Sequence, residues 1–288
     1  MKKKVLENIV KWIFLLCGIA AVGFVLCICL YLVISGVPAI REIGLWNFLF
    51  GETWNAPTNE FGILPFILTS IYGTAGALLL GVPLGLFTAV FLAKAAPPRI
   101  AAAARSCVAL LAGIPSVVYG LVGMTVLVPF VQKTFSLSSG ACLLTAILVL
   151  TVMILPYIVS VSETALRAVP HEYEEASLAL GATPIETYFK VSVPAAKSGI
   201  AAAVVLGVGR AIGEAMAVMM VAGNSPNMPD SLFRSVTFLT TAIAKEMSYA
   251  SGLQKQALFS IALVLFVFIM AINVLLNAVL KGGNKDET

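Results

Sequence analysis

Two residues are placed to do ionic chemistry inside an otherwise uncharged run. They are Arg210 and Glu214, in the stretch Gly207-Val-Gly209-Arg210-Ala-Ile-Gly213-Glu214. A four-residue separation puts them on one helix face, where they can pair. On insertion scales a charge at the centre of a bilayer costs about 2.5–3.5 kcal/mol, so charges there are usually functional. One reading is an internal ion pair that only neutralises itself. The other is a polar path in which Arg210 offers a planar fork of donors to an oxyanion. Gly209 and Gly213 form Gly-x-x-x-Gly, a spacing that allows close helix contact. Elsewhere reactive chemistry is sparse. His171 is the single histidine and has no partner in sequence. There is no Gly-x-x-x-x-Gly-Lys-Ser/Thr phosphate loop and no His-Glu-x-x-His. The five cysteines lie in apolar runs without Cys-x-x-Cys spacing and read as small buried residues. No catalytic residue, metal site, cofactor or nucleic-acid partner is implied, and any ATP driving this chain must be hydrolysed by another polypeptide.

The elements that must position Arg210 and Glu214 are membrane spans. Only 11% of the 288 residues are charged and 60% are hydrophobic, against about 25% charged in an ordinary soluble domain. Uncharged runs long enough to cross a bilayer, about 20 residues each, recur along the chain. The expectation is a single all-α polytopic membrane domain over residues 1–288, with six spans near 12–34, 64–93, 107–131, 141–161, 198–223 and 257–280. The first run exceeds the apolar region of a signal peptide and is read as a retained span. Residues 35–60 read as a polar connection whose Trp46 and Trp54 suit an interfacial belt. The segment between the last two spans reads as partly helical at the surface. With both termini on the cytoplasmic side, twelve basic residues fall inside: Lys2, Lys3, Lys4, Lys11, Lys94, Arg99, Arg105, Arg167, Lys190, Lys197, Lys281 and Lys285. Five fall outside: Arg41, Lys133, Arg234, Lys245 and Lys255. The positive-inside rule favours that orientation.

Residues 163–197 form a polar stretch between two apolar runs and hold five of the fourteen acidic residues. Two short helices are expected there. The first opens at Pro170, carries Glu172, Glu174 and Glu175 where the helix dipole favours negative charge, and ends at Gly181. The second opens on a capping box of Thr183, Pro184 and Glu186 and stops at Val191-Ser-Val-Pro194.

The spacing within this stretch carries a resemblance. Glu175-Ala176-Ser177, then Gly181, then Val191 and Val193-Pro194 resembles the EAA loop of ABC-importer permeases, in which the pattern is Glu-Ala-Ala, Gly, Ile and Leu-Pro. Ser177, Val191 and Val193 are mild departures. The resemblance implies a type I importer permease architecture in which residues 163–197 dock on an ATPase subunit through Glu175, Ala176, Ser177, Gly181 and Pro194. Further motifs are similar to the C-type permease of phosphate-specific ABC importers over about residues 54–280. They are Phe61-Gly62-Ile-Leu-Pro65-Phe66, Leu111-Ala-Gly-Ile-Pro115-Ser-Val-Val-Tyr119-Gly120, Arg167-Ala-Val-Pro170, the run from Gly207 to Val218, and Gly223-Asn224. In that family the Arg and Glu matching Arg210 and Glu214 line the translocation path. The implied partners are a second permease, an ATPase pair and an extracytoplasmic phosphate-binding protein in a bacterial inner membrane.

Arg210 suits an anion but does not by itself separate phosphate from sulfate or molybdate. A stand-alone secondary carrier is disfavoured by the coupling stretch and by the absence of a clear inverted repeat. A membrane enzyme is disfavoured by the lack of a nucleophile–base or metal constellation. Ser116, Tyr119 and Thr69 are candidate hydroxyls for substrate.

Overall fold

The backbone of a membrane span must satisfy its own hydrogen bonds, so the apolar runs fold as helices. The structure, a computed structural model, describes residues 2–282 and the side chains of residues 7–275. Lys285, expected on the cytoplasmic side, lies outside the described residues. Helix α1, Lys2–Ile43, continues through Pro38 and lies along α14, Gly252–Gly282. Gly36 lets the two approach: Ser260 donates a 2.6 Å hydrogen bond to its carbonyl. The segment after α1 forms a short helix α2, Leu45–Phe50, and a two-stranded hairpin that pairs β1, Trp54–Asn55, with β2, Glu60–Phe61.

The centre of the molecule is α3, Leu64–Val90, packed against α7, Leu143–Arg167. Small residues of α3 make the contact. A Cβ on Gly81 would come within 2.7 Å of Ile154 Cδ1, and one on Gly85 within 2.6 Å of Ile158 Cγ2. Small residues at the seam are how membrane helices gain close van der Waals contact. Around this pair stand α4, Pro98–Gly113; α5, Ser116–Val122; and α6, Val128–Thr134, which a π-turn joins to α5. The polar stretch holds α8, His171–Ala179; α9, Pro184–Thr187; and α10, Val193–Ala195. Then follow α11, Lys197–Ile212; α12, Met216–Val221; and α13, Leu239–Glu246.

Five helices among the described residues are long and apolar enough to cross a membrane, or six if the segments Pro184–Ala195 and Lys197–Ile212, bent by 73°, form one span. The structure departs from the sequence reading in detail. Residues 107–131 are interrupted at Ile114-Pro115, so the apolar rod is Ser116–Thr134 and Cys107 belongs to α4. Proline disfavours helical geometry in the residue before it. Residues 198–223 are broken between Ile212 and Met216. The second polar helix does not stop at Val191. A π-turn over Tyr188–Ser192 carries it into α10, accommodating Pro194, which has no N–H to donate. Trp54 is buried, and its indole N–H donates to Glu246 Oε2 at 3.1 Å, so it is a core residue of the hairpin end. Only Trp46 keeps the exposed setting expected of both. Of the cysteines, Cys142 alone is buried; Cys17, Cys27 and Cys107 lie on outward helix faces.

Candidate functional site

Arg210 lies in the last turn of α11 and Glu214 within the break before α12, so the two do not share a helix face as their spacing predicts. Glu214 is almost fully buried and Arg210 is about one-third exposed, with Nη2 and Oε2 3.8 Å apart. That is a loose pair, and other bonds fix the glutamate. Its Oε1 accepts the Ala217 N–H at 3.1 Å, which caps α12 with a carboxylate where unpaired amides and the helix dipole favour one. Its backbone carbonyl accepts the Thr240 hydroxyl at 2.7 Å from α13. Glu214 is thereby a structural pin as well as a charge.

Arg210 is held differently. Its guanidinium carbon lies 5.6 Å from the centroid of the Tyr157 ring on α7, within reach of a cation–π attraction. Its Nε is buried without a hydrogen-bond partner. It lines a cavity of about 480 Å³ with Tyr157, Ala202, Val205, Leu206, Gly209 and Asn273. A buried donor left unmade costs about 1–3 kcal/mol; the one-third of the side chain that stays exposed is what can meet an acceptor entering the cavity. Tyr157 and Thr240 are site residues that sequence reading misses. Tyr157 follows Pro156 in an apolar run and reads as ordinary span; Thr240 lies 26 residues beyond Glu214 on a separate helix.

Nothing lies within 4 Å of a Cβ on Gly209, and Gly213 sits at a helix end, so neither packs α11 on a neighbour within the chain. Gly207 does that work: a Cβ there would come within 3.2 Å of Ile158 Cδ1. Of the candidate hydroxyls, Thr69 is fully buried with Oγ1 unpartnered, Tyr119 donates to the Leu111 carbonyl at 2.7 Å, and Ser116 opens α5. None of the three lines the Arg210 cavity.

The polar stretch of residues 163–197 forms its own surface. Gly181 takes φ 88° after α8, and the turn closes through Gly181 N–H to Leu178 O at 2.9 Å and Ala182 N–H to Ser177 O at 3.2 Å. Thr183 and Glu186 form the reciprocal capping box. Ser177 and Thr187 share a hydroxyl bond of 2.9 Å across the bend. Glu175, Ala176, Gly181 and Pro194 are exposed, and Leu180 and Ile185 present apolar side chains at 90% and 69% exposure beside them. The inner face is anchored: Lys94 pairs with Glu174, Ser192 donates to Glu174 at 2.8 Å, and Tyr188 donates to the Lys94 carbonyl at 3.2 Å. Burial alone would raise the Glu174 carboxyl, but the Lys94 and Ser192 bonds and the Lys94 and His171 charges together hold it below its ordinary value.

A model of the binding-protein-dependent transport system inner membrane component family matches residues 81–282. The chain belongs to that family. It is 39% identical to a probable ABC transporter permease protein YqgH of Bacillus subtilis (strain 168), covering 90% of this chain and 87% of the relative. It is 35% identical to a phosphate transport system permease protein PstC of Pasteurella multocida (strain Pm70), covering 82% of each. The PstC of Haemophilus influenzae is 37% identical over 82% of this chain and 81% of its own. Among solved structures, inward-facing conformations of the MetNI methionine ABC transporter superpose with TM-scores of 0.58 and 0.57 at 21% and 19% identity, covering 80% and 77% of this chain and 99% and 94% of the matched chains. At that identity the likeness is one of fold: the type I importer permease. The chain is therefore a multi-pass membrane permease subunit of an ABC importer. Membership implies a second permease, an ATPase and a substrate-binding protein as the general assembly. The matched region contains both the coupling stretch and the Arg210 break.

Proposed function

We propose that this permease passes phosphate, with Arg210 as the anion-facing group and Glu214 as its positioning partner. The observation that carries the reading is an arginine side chain one-third exposed and lining a cavity, within the apolar body of the bundle. The similarity to relatives named for phosphate transport supports the substrate. An oxyanion leaving water needs charge-assisted donors to replace its hydration, and a guanidinium supplies them in a planar fork. Transport is driven by a separate ATPase dimer docked on Glu175, Ala176, Ser177, Gly181 and Pro194. An extracytoplasmic phosphate-binding protein delivers the anion, and a second permease completes the path. The protein resides in a bacterial inner membrane with both termini cytoplasmic. In support, Lys94, Arg105, Arg167 and Lys190 cluster at the end of the bundle that bears α8 and α9, while Arg234 and Lys245 lie at the opposite end.

The test is ATP-dependent uptake of labelled phosphate by the assembled importer in vesicles, with sulfate and molybdate as competitors. Phosphate uptake that excess sulfate leaves intact is the expected result. Preferential uptake of another oxyanion overturns the substrate, and uptake without ATP points to a stand-alone carrier. Single cysteines replacing Lys133 or Asp230, in a cysteine-free background, should label with an impermeant reagent from outside. Those replacing Lys94 or Lys190 should not.

A further inference from the structure

Tyr157 stands between two cavities. Its ring faces Arg210 in the first, and its hydroxyl donates at 3.5 Å to the carbonyl of Ala112. Ala112 lines a second cavity of about 350 Å³ between α4 and α7, with Arg105, Pro156, Ser160, Glu163 and Arg167. Here the buried Glu163 Oε1 accepts both Arg105 Nε at 2.6 Å and Arg167 Nε at 2.9 Å. Two guanidiniums on one carboxylate leave a net positive charge, and each retains its terminal amines. Arg167 spends one of them on a long 3.4 Å bond to the Leu92 carbonyl. Both arginines stay partly exposed, at 39% and 47%, while Glu163 is shielded. Thr164 gives its hydroxyl to the Ser160 carbonyl, whereas the Ser160 hydroxyl has no partner among the described residues.

Resting on the oxyanion reading of Arg210, we propose a second oxyanion site in this cavity. Arg105 and Arg167 are its donors, clamped in position by Glu163, with Ser160 beside them. Tyr157, Ser160, Thr164 and Arg167 recur at helical spacing along one face of α7, so the two sites share a polar stripe about 15 Å long. An anion that leaves Arg210 for water in one step loses all its donors at once. A second cationic site one cavity away divides that step, as multi-site pathways do to stay selective yet release their cargo. The chemistry recognised is a phosphate group, whether free phosphate in transit or the headgroup of an anionic phospholipid.

The experiment uses the assembled importer in nanodiscs, with a single cysteine introduced by Ser160→Cys in a background free of native cysteines. The rate of its modification by a charged thiol reagent is read with and without inorganic phosphate, in phosphatidylcholine and in phosphatidylglycerol. Slowing of several-fold by phosphate in phosphatidylcholine is expected, retained in Arg210→Gln and lost in Arg105→Gln/Arg167→Gln. Glu163→Gln should weaken the protection by loosening the clamp on both donors, whereas a purely structural cluster would lose or keep its accessibility without regard to phosphate. Slowing by phosphatidylglycerol alone assigns the site to a lipid headgroup. No slowing by either overturns the site, even if every variant folds. Phosphate uptake measured on the same preparation separates the failures: uptake with no protection removes only this site, and protection with no uptake removes the transport reading.

Discussion

Helical structure is interrupted at two charged segments, at Gly181 and between Ile212 and Met216, by different physical means. Gly181 has a positive φ of 88°, nothing lies within 4 Å of a Cβ there, and the turn closes on its own backbone bonds. It is an exposed bend coded within a few residues. Gly213 has φ −79°, open to any residue, so the second break owes nothing to left-handed geometry. It is fixed by Glu214 capping α12 and by Thr240 reaching in from α13. The first bend leaves Leu180 and Ile185 exposed beside it. The second is pinned from three helices and holds an arginine beside a cavity. The lesson is that a local hinge and a tertiary pin can look alike in sequence, because both contain glycine followed within a few residues by a glutamate.

The comparison is broken most severely at Arg210. Charge-assisted hydrogen bonds contribute about 1.5–3 kcal/mol each, so Arg210→Gln is expected to reduce phosphate uptake by about tenfold to a hundredfold at normal membrane abundance. Arg210→Gln/Glu214→Gln should be equally inactive, and Arg210→Lys strongly impaired because the fork is lost. Substantial uptake by the double variant would return the pair to simple mutual neutralisation.

At the other bend, Gly181→Pro demands a φ that proline cannot adopt. A non-glycine residue in this region costs roughly 1–2 kcal/mol, and uptake should fall about tenfold while ATP hydrolysis continues. Glu175→Lys should uncouple in the same sense. Normal coupling in both would remove α8 and α9 from the ATPase interface.

A smaller effect sharpens the contrast between pin and hinge. Thr240→Val leaves the buried Glu214 carbonyl unbonded, at a cost of about 1–3 kcal/mol. Thr183→Ala deletes the exposed capping box, at about 1 kcal/mol. Thr240→Val should lower both thermal midpoint and uptake, whereas Thr183→Ala should lower mainly the protection of α9 in hydrogen exchange. Equal effects on uptake would erase the distinction.

The smallest effect is in pH. Because the Glu174 carboxyl is held below its ordinary value of 4.5, the stability from its pairing with Lys94 is fully present above that pH. It is lost as pH falls through the lower folded value. The protection factor of α8 in hydrogen exchange should therefore hold down to about pH 4.5 in the wild type and be lower and insensitive to pH in Glu174→Gln.

Much of this was legible in sequence because its causes are local. Apolar runs must be helices in lipid, and a proline, an acidic first turn and a glycine delimit α8 wherever it is placed. Four-residue spacing predicted that Arg210 and Glu214 pair, although Glu214 lies beyond the end of α11 rather than on its face. What sequence could not supply were relations between segments far apart in the chain. The helical pattern of 198–223 runs unbroken because the cap and the Thr240 bond that interrupt it are not visible to residues 212–216 alone. The glycines of α3 have no visible partner in sequence, and only Ile154 and Ile158 opposite them turn them into a close-packed seam. Trp54 looked interfacial until Glu246, 192 residues away, accepted its N–H. Sequence by itself determined which segments are helices and where charge is carried, since propensity, capping and hydropathy act over a few residues. Tertiary structure alone decided which charges are pinned and which are left open to a ligand, since that depends on what the folded chain brings within hydrogen-bond reach.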